Sequence, residues 1–333
     1  MSYSITPAIV QETWERETTL PVMNENCLSR FLLQPNPSSK VCLFFHGFTA
    51  TPEQFFPIGS AFFEAGYNVL IPLLPGHGQA GDWNRDRPPP LPEDQETYQQ
   101  FGLYWLQQAQ ALGKQVIVGG LSGGSTLAAW LALECPDDIY RTLVFAPYLS
   151  SSNKLVDLVV RILDIYFEWK TAPGKAHFGY DGFLMPSLEV FLDMGQDVLK
   201  RAENEVTAPM FIVSSESDRA VGNKEHQALF EAVVKYQPKS WYHRFERSLN
   251  IPHNMMTKAE GNDYQNLLIT IAKAYVESNL TWAEIEEIGY HMAQGKTFNT
   301  VVTELHLSER VSPDMLTMMT LVDKKAIVSA RHG

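Results

Sequence analysis

Gly120-Leu121-Ser122-Gly123-Gly124 is the stretch of this 333-residue chain best suited to chemistry. It lies between the short apolar run Val116-Ile117-Val118 and an Ala- and Leu-rich segment, residues 125–133, that reads as helix. A Gly-x-Ser-x-Gly between strand and helix is a nucleophile elbow. The chain turns so sharply that side chains at 120 and 124 would strike neighbouring backbone, and the serine hydroxyl is left in open space. A glycine-rich turn that only packs tightly, or that binds a phosphate, carries the same letters, so other residues must decide. A serine hydroxyl attacks carbonyl carbon only when a base takes its proton, and the base needs an acid to hold its tautomer and its positive form. Asp218 follows the apolar run Met210-Phe211-Ile212-Val213, with Glu216 as its competitor; His253 follows the alternating segment 240–247, with His243 inside that segment as its competitor. Ser122, Asp218 and His253 thus each fall just past an expected strand, in an arrangement suited to acyl transfer.

The elements that must position these residues alternate. Residues up to about 40 contain short β-like segments, clearest at 27–33, which read as antiparallel entry strands. Val41-Cys42-Leu43-Phe44-Phe45 is an unalternated apolar run too short for a helix, the pattern of a strand buried on both faces. A helix over 51–65, a strand over 68–73 and a polar loop from Pro75-Gly76-His77-Gly78 follow. Tyr98, Phe101, Trp105, Leu106, Ala109 and Leu112 recur at helical spacing up to Gly113. The strand before Ser122, its helix and a strand at 141–146 continue an α/β alternation, the mark of a mostly parallel sheet covered on both faces. Ligands in such sheets sit at the carboxyl ends of the strands, where His46, His77 and Ser122 also fall.

From 149 to 207 the alternation breaks, and the segment is too long for an ordinary connection. Leu155, Leu158, Val159, Ile162, Leu163 and Tyr166 form one helical stripe, 169–180 reads as a mixed loop and 187–201 as a second helix. This reads as a small helical cap inserted over the sheet's carboxyl edge. A strand at 210–213, a helix at 226–235, a strand at 240–247 and an apolar-striped helix at 262–279 complete the core. The expected organisation is a core of 1–148 and 208–280, a cap of 149–207 and a C-terminal helical extension of 281–333.

Composition bounds the function. With 45% hydrophobic residues the chain fills one large core, and its net charge of −12 argues against general nucleic-acid affinity. Cys27, Cys42 and Cys135 show neither disulfide nor zinc spacing and read as free thiols of a reducing compartment. The start, Met1-Ser2-Tyr3-Ser4-Ile5-Thr6, lacks a signal-peptide layout and no apolar run reaches membrane-span length, so a cytoplasmic location is expected. His226, His291, His306 and His332 read as exposed or satisfied histidines, and His46 and His77 as shapers of loops. Trp83, Trp169, Phe178 and Tyr180 are either pocket-lining aromatics or ordinary packing.

The order Ser, Asp, His, the elbow and the His46-Gly47 turn resemble the α/β-hydrolase superfamily. His-Gly-Phe-Thr at 46–49, Pro-Gly-His-Gly at 75–78 and Gly-Leu-Ser-Gly-Gly at 120–124 are similar to the bacterial carboxylesterase and monoacylglycerol-lipase-like group. The similarity spans roughly 25–280, is weak in the cap and stops afterwards. It implies that Ser122 attacks the acyl carbon, that His253 acts as base and then acid, and that Asp218, with Val221 after it, orients His253. The backbone N–H groups of Phe48 and Gly123 would receive the oxyanion. Gly123 departs from that group, which often has methionine here. The implied activity is a serine esterase on small-molecule carboxylic esters that requires no metal or organic cofactor; thioester or amide cleavage uses the same machinery.

Residues 281–333 allow a reading of another class, a transcriptional regulator with a hydrolase-like sensor and a helix-turn-helix. Its would-be recognition segment, 309–319, carries Arg310 alone among basic residues beside Glu309 and Asp314, and Pro313 interrupts it. An appendage for packing or for homo-oligomer formation is the reading preferred, with no nucleic-acid partner expected.

Overall fold

The computed structural model describes residues 8–151, 165–169 and 173–321. Seven strands form the central sheet: β1 (Arg30–Leu32), β2 (Lys40–Phe45), β3 (Asn68–Ile71), β4 (Gln115–Leu121), β5 (Arg141–Phe145), β8 (Met210–Ser215) and β9 (Trp241–Phe245). Their spatial order is β1-β3-β2-β4-β5-β8-β9, with β1 antiparallel to β3 and every other neighbouring pair parallel. Parallel pairing needs a crossover, and helices α2 (Phe56–Glu64), α3 (Gln95–Leu112), α4 (Gly123–Glu134) and α6 (Asn223–Val234) lie in the connections. Helices on both faces bury Val41, Cys42, Leu43, Phe44 and Phe45 completely, as their continuous apolar run requires. This is the expected α/β-hydrolase fold, with a small cap and C-terminal helices.

Three details differ from the sequence expectation. Among the described residues the N-terminal region supplies one antiparallel strand, not several, and residues Ala8–Glu17 form a helix, α1. Its buried Glu17 explains why it docks: the carboxylate accepts from the Ser29 N–H at 2.8 Å and from Ser29 Oγ at 2.6 Å, and Ser29 Oγ accepts from the Leu73 N–H at 2.8 Å. The cap contains a β-ribbon, β6 (Tyr166–Glu168) paired antiparallel with β7 (Gly182–Leu184), so Tyr166 belongs to a strand and not to a helical stripe. The other five residues of that stripe lie outside the described residues. The second cap helix, α5, spans Met185–Ala202 and starts with Pro186 in its first turn, where a missing N–H costs nothing.

Helix α7 (Gln265–Glu277) is followed by α8 (Trp282–Ala293), α9 (Phe298–Glu304) and α10 (Asp314–Leu321). These last three bury Ile285, Ile288, Phe298, Val301, Val302, Met315, Met318 and Met319. A capping box starts α8, in which Thr281 and Glu284 satisfy each other's backbone donors. Trp282 packs against Phe230 of α6 at 5.1 Å between ring centroids, and Lys273 of α7 pairs with Asp314 at 3.1 Å. No helix among the described residues is long and apolar enough to cross a membrane.

Candidate active site

Ser122 sits between β4 and α4 with φ 55° and ψ −120°, a left-handed backbone that a non-glycine residue holds at a cost of about 1–3 kcal/mol. The surroundings enforce it. The Ser122 N–H donates to the Phe145 carbonyl at 3.0 Å, while the Ser122 carbonyl accepts from the Thr126 N–H at 2.9 Å and from Thr126 Oγ1 at 3.1 Å. The flanking glycines are needed for close approach. A Cβ at Gly120 would lie 2.3 Å from the Gly124 carbonyl, and one at Gly124 would lie 2.3 Å from the His46 carbonyl oxygen. Gly123 opens helix α4, whose first N–H groups have no acceptor within the helix. A Cβ there would meet the Phe191 ring of cap helix α5 at 3.1 Å. Phe191 therefore takes up space on which a larger residue at 123 would encroach.

Asp218 and His253 are brought together: His253 Nδ1 donates to Asp218 Oδ2 at 2.7 Å. Asp218 Oδ1 accepts from the N–H groups of Ala220 at 2.8 Å and Val221 at 3.3 Å, so the turn after β8 holds the carboxylate in one orientation. Burial opposes ionisation of Asp218, yet the His253 charge, its hydrogen bond and the two amides outweigh burial and lower the pKa. Burial likewise opposes protonation of His253. The Asp218 charge and hydrogen bond, with a smaller contribution from Glu260, win and raise its pKa above the usual 6.5. The competitor Glu216 faces elsewhere, accepting from the Arg247 N–H at 3.2 Å and pairing with Arg244 at 3.4 Å. The competitor His243 lies within β9 with its ring 4.5 Å from Phe245, and desolvation lowers its pKa to about 4.

The loop after β2 approaches the same edge of the sheet, and two buried histidines hold it. His46 Nδ1 donates to the Gly47 carbonyl at 3.0 Å while its Nε2 accepts from the Leu74 N–H at 3.0 Å. His77 Nδ1 donates to the Pro75 carbonyl at 2.8 Å while its Nε2 accepts from the Thr49 N–H at 3.1 Å. A ring nitrogen that accepts from an amide cannot also carry a proton, and burial lowers the pKa of His77 to about 4 and that of His46 well below 6.5. Both act as neutral struts. Within the loop the Gly47 N–H donates to Gln54 Oε1 at 2.8 Å and the Ala50 N–H to the Gly47 carbonyl at 3.0 Å. With Thr49 held by His77, the Phe48 N–H has no acceptor among the described residues.

Aromatic rings roof this region. Phe48 lies edge-on to Phe183 at 4.9 Å and to Phe191 at 5.5 Å. Tyr180 braces the 75–79 loop, its hydroxyl donating to the Gly76 carbonyl at 2.8 Å and accepting from the Gln79 N–H at 2.9 Å. Trp83 donates through Nε1 to the Gln79 carbonyl, and Trp169 through Nε1 to Thr49 Oγ1, both at 2.9 Å. Phe183 and Phe191 escaped notice in the sequence because they lie within an apolar ribbon and helix, where an aromatic is ordinary core. His226 is fully buried and donates through Nε2 to the Pro147 carbonyl at 2.8 Å. His291 pairs with Glu287 at 3.1 Å, and His332 lies outside the described residues. Among the described residues no three His, Cys, Asp or Glu side chains gather as metal ligands would.

Comparison with known proteins agrees with this architecture. A thermostable monoacylglycerol lipase of Bacillus sp. (strain H-257) is 37% identical over 95 residues, which cover 28% of this chain and 36% of that lipase. Among solved structures, one from a study of two metagenome-derived lipolytic enzymes superposes with a TM-score of 0.62 at 16% identity, over 76% of this chain and 98% of the other. The monoacylglycerol lipase of Paleococcus ferrophilus gives 0.57 at 16% identity over 74% and 98%. The monoglyceride lipase of Saccharomyces cerevisiae gives 0.58 at 12% identity over 75% and 90%, and at these identities the likeness is one of fold. Residues 42–245, which span the elbow, the cap and the Asp218 turn, match the alpha/beta hydrolase family, and the chain belongs to that family.

Proposed function

We propose that the chain is a serine hydrolase that cleaves carboxylic esters through an acyl-enzyme on Ser122. The observation that carries this reading is the Asp218–His253 hydrogen bond on the sheet edge where the strained Ser122 turn also emerges. Ser122 Oγ attacks the acyl carbon and His253 Nε2 takes its proton, while Asp218 holds Nδ1–H and stabilises the imidazolium. The Gly123 and Phe48 N–H groups receive the oxyanion; a free loop amide and a helix N-terminus are the donors such a charge needs. Collapse breaks the ester C–O bond, His253 returns the proton to the departing alkoxide, and water attacks the acyl-enzyme with His253 again as base. The acyl C–Oγ bond then breaks, His253 returns the proton to Ser122 Oγ, and the carboxylic product leaves.

The aromatic roof of Phe48, Phe183 and Phe191 favours an apolar acyl group. The relatives named as lipases suggest acylglycerols as the first esters to try. Thioesters and amides would enter the same chemistry. In the regulator reading Arg310 would have to meet DNA, but its guanidinium is engaged with Glu284 at 2.6 and 2.8 Å and with the Asn279 carbonyl at 2.8 Å. This favours 281–333 as a packing appendage on the core of 1–148 and 208–280 and its cap of 149–207. The decisive experiment is labelling with a fluorophosphonate probe, followed by a panel of esters graded by acyl length. The native protein should label and Ser122→Ala should not; a folded native protein that refuses the probe overturns the reading.

A further inference from the structure

A second buried carboxylate, Glu260, is bonded to the loop of the candidate oxyanion donor through Gln54 and has no part in the mechanism above. It lies in the loop that follows His253 and is 7% exposed. Oε1 accepts from Gln54 Nε2 at 2.7 Å, and Oε2 accepts from Thr257 Oγ1 at 2.9 Å. The Thr257 hydroxyl in turn accepts from the Glu260 N–H at 3.1 Å, which closes a small ring within the His253 loop. Gln54 is the link to the other side of the site. Its Oε1 accepts the Gly47 N–H at 2.8 Å, the amide next before that of Phe48. Gln54 is itself buried, at 1% exposure, and so has no water with which to exchange these bonds.

Burying a carboxylate costs several kcal/mol, which two hydrogen bonds offset only in part. A glutamine would hold the same loops together without that cost. A negative group is favourable here only if a positive charge appears nearby, and the imidazolium of His253, which forms as the serine proton is taken, is such a charge. Burial raises the pKa of Glu260 to about 7 against the opposing effects of Gln54, Thr257 and His253, so this carboxyl changes charge in the range where His253 also titrates.

The geometry points to Glu260 as a positioning residue that joins the two halves of the site: through Gln54 it fixes the Gly47–Phe48 backbone that offers the oxyanion donor, and its negative charge favours the imidazolium of His253. This inference rests on the serine-hydrolase reading. Asp218 also acts electrostatically on His253, the His253 charge helps to keep His226 neutral, and Lys175 packs its stem near Gly261 of the same loop; all three remain in the variants below.

Two substitutions separate the parts. Glu260→Gln keeps an acceptor for Gln54 and removes the charge, whereas Gln54→Met keeps the carboxyl group and cuts the link to Gly47. Ester turnover is measured against pH for both, with fluorophosphonate labelling of the native protein as the control for the parent reading. In Glu260→Gln the acid limb of kcat/KM should move to lower pH, because loss of a negative neighbour lowers the His253 pKa, and it should follow a single proton. In Gln54→Met, kcat should fall about tenfold to a hundredfold with KM little changed, the mark of a donor displaced from the transition state. The midpoint of the limb does not depend on how much of a preparation is folded, so partial misfolding leaves it readable. An unmoved limb in Glu260→Gln, or a kcat within about twofold of native in Gln54→Met, overturns the inference while the native labelling still stands. A native protein that does not label overturns the parent reading instead.

Discussion

The rim of the sheet and the appended helices α8–α10 are held by bonds of different reach. At the rim, polar side chains join residues remote in sequence: Gln54 to Glu260 across 206 positions, Trp169 to Thr49 across 120, and Tyr180 to Gly76 across 104. In the appended helices most side-chain bonds are closer in sequence and more solvated, although Ser312 makes buried bonds to Ser278 and Ala274. Thr281 caps its own helix with Glu284, Thr297 accepts from the Thr300 N–H, Lys296 pairs with Glu304, and Arg310 reaches back 26 positions to Glu284. A buried bond that spans the chain forms only when the fold is complete, and its loss leaves an unsatisfied group; a surface bond lost is replaced by water. The rim should therefore be brittle to substitution and the appendage tolerant.

The sharpest test is His253→Ala, which should lower kcat for an activated ester by about four orders of magnitude or more, and also lower the unfolding temperature, because Asp218 is left buried without its partner. Full activity in this variant would dissolve the distinction for the rim and send the search for a base to His243. Gly124→Ala comes next. Its Cβ must push aside the His46 carbonyl, an overpacking that should cost about 3 kcal/mol in denaturant unfolding and distort the elbow; native stability would mean that the backbone there yields easily.

The pH dependence is a smaller effect. His253 must be neutral to accept the serine proton and its pKa is raised, so kcat/KM should fall as pH drops through a midpoint above 6.5. An acid midpoint well below 6.5 would deny the control of Asp218 over that ring. Smallest of all is Arg310→Ala in the appendage, whose partly exposed bidentate pair with Glu284 should cost no more than about 1 kcal/mol and leave kcat unchanged. A large loss of activity there would tie the appendage to the rim.

Much of the fold was legible because its signals are local. The apolar run at β2, the stripe of α3 and the Gly-x-Ser-x-Gly between strand and helix each state their structure within a few residues. The break after β5 marked the cap, but the ribbon β6–β7 did not announce itself, because three-residue strands are too short for alternation to show. Helix α1 was missed for a related reason. Its apolar face is sparse, and what seats it is a buried Glu17 bonded to Ser29, a contact no periodicity encodes. The family pattern likewise drew attention to Ser122, Asp218 and His253 while passing over Gln54 and Glu260, which belong to no motif.

What the amino-acid order determined alone was therefore the set of elements and the sharp turn at Ser122, since strand and helix periodicity and the lack of a Cβ at Gly120 and Gly124 are properties of neighbours in the chain. Only the tertiary structure decided which carboxylate meets which imidazole and which amides of the loop after β2 are already engaged. Those outcomes depend on Asp218 turning inward to His253 while Glu216 turns out to Arg244, and on His77 taking the Thr49 amide while that of Phe48 stays open. The reason is physical: burial makes a polar group choose a partner, and the partners within reach are set by the packing of strands and loops, not by their order along the polypeptide.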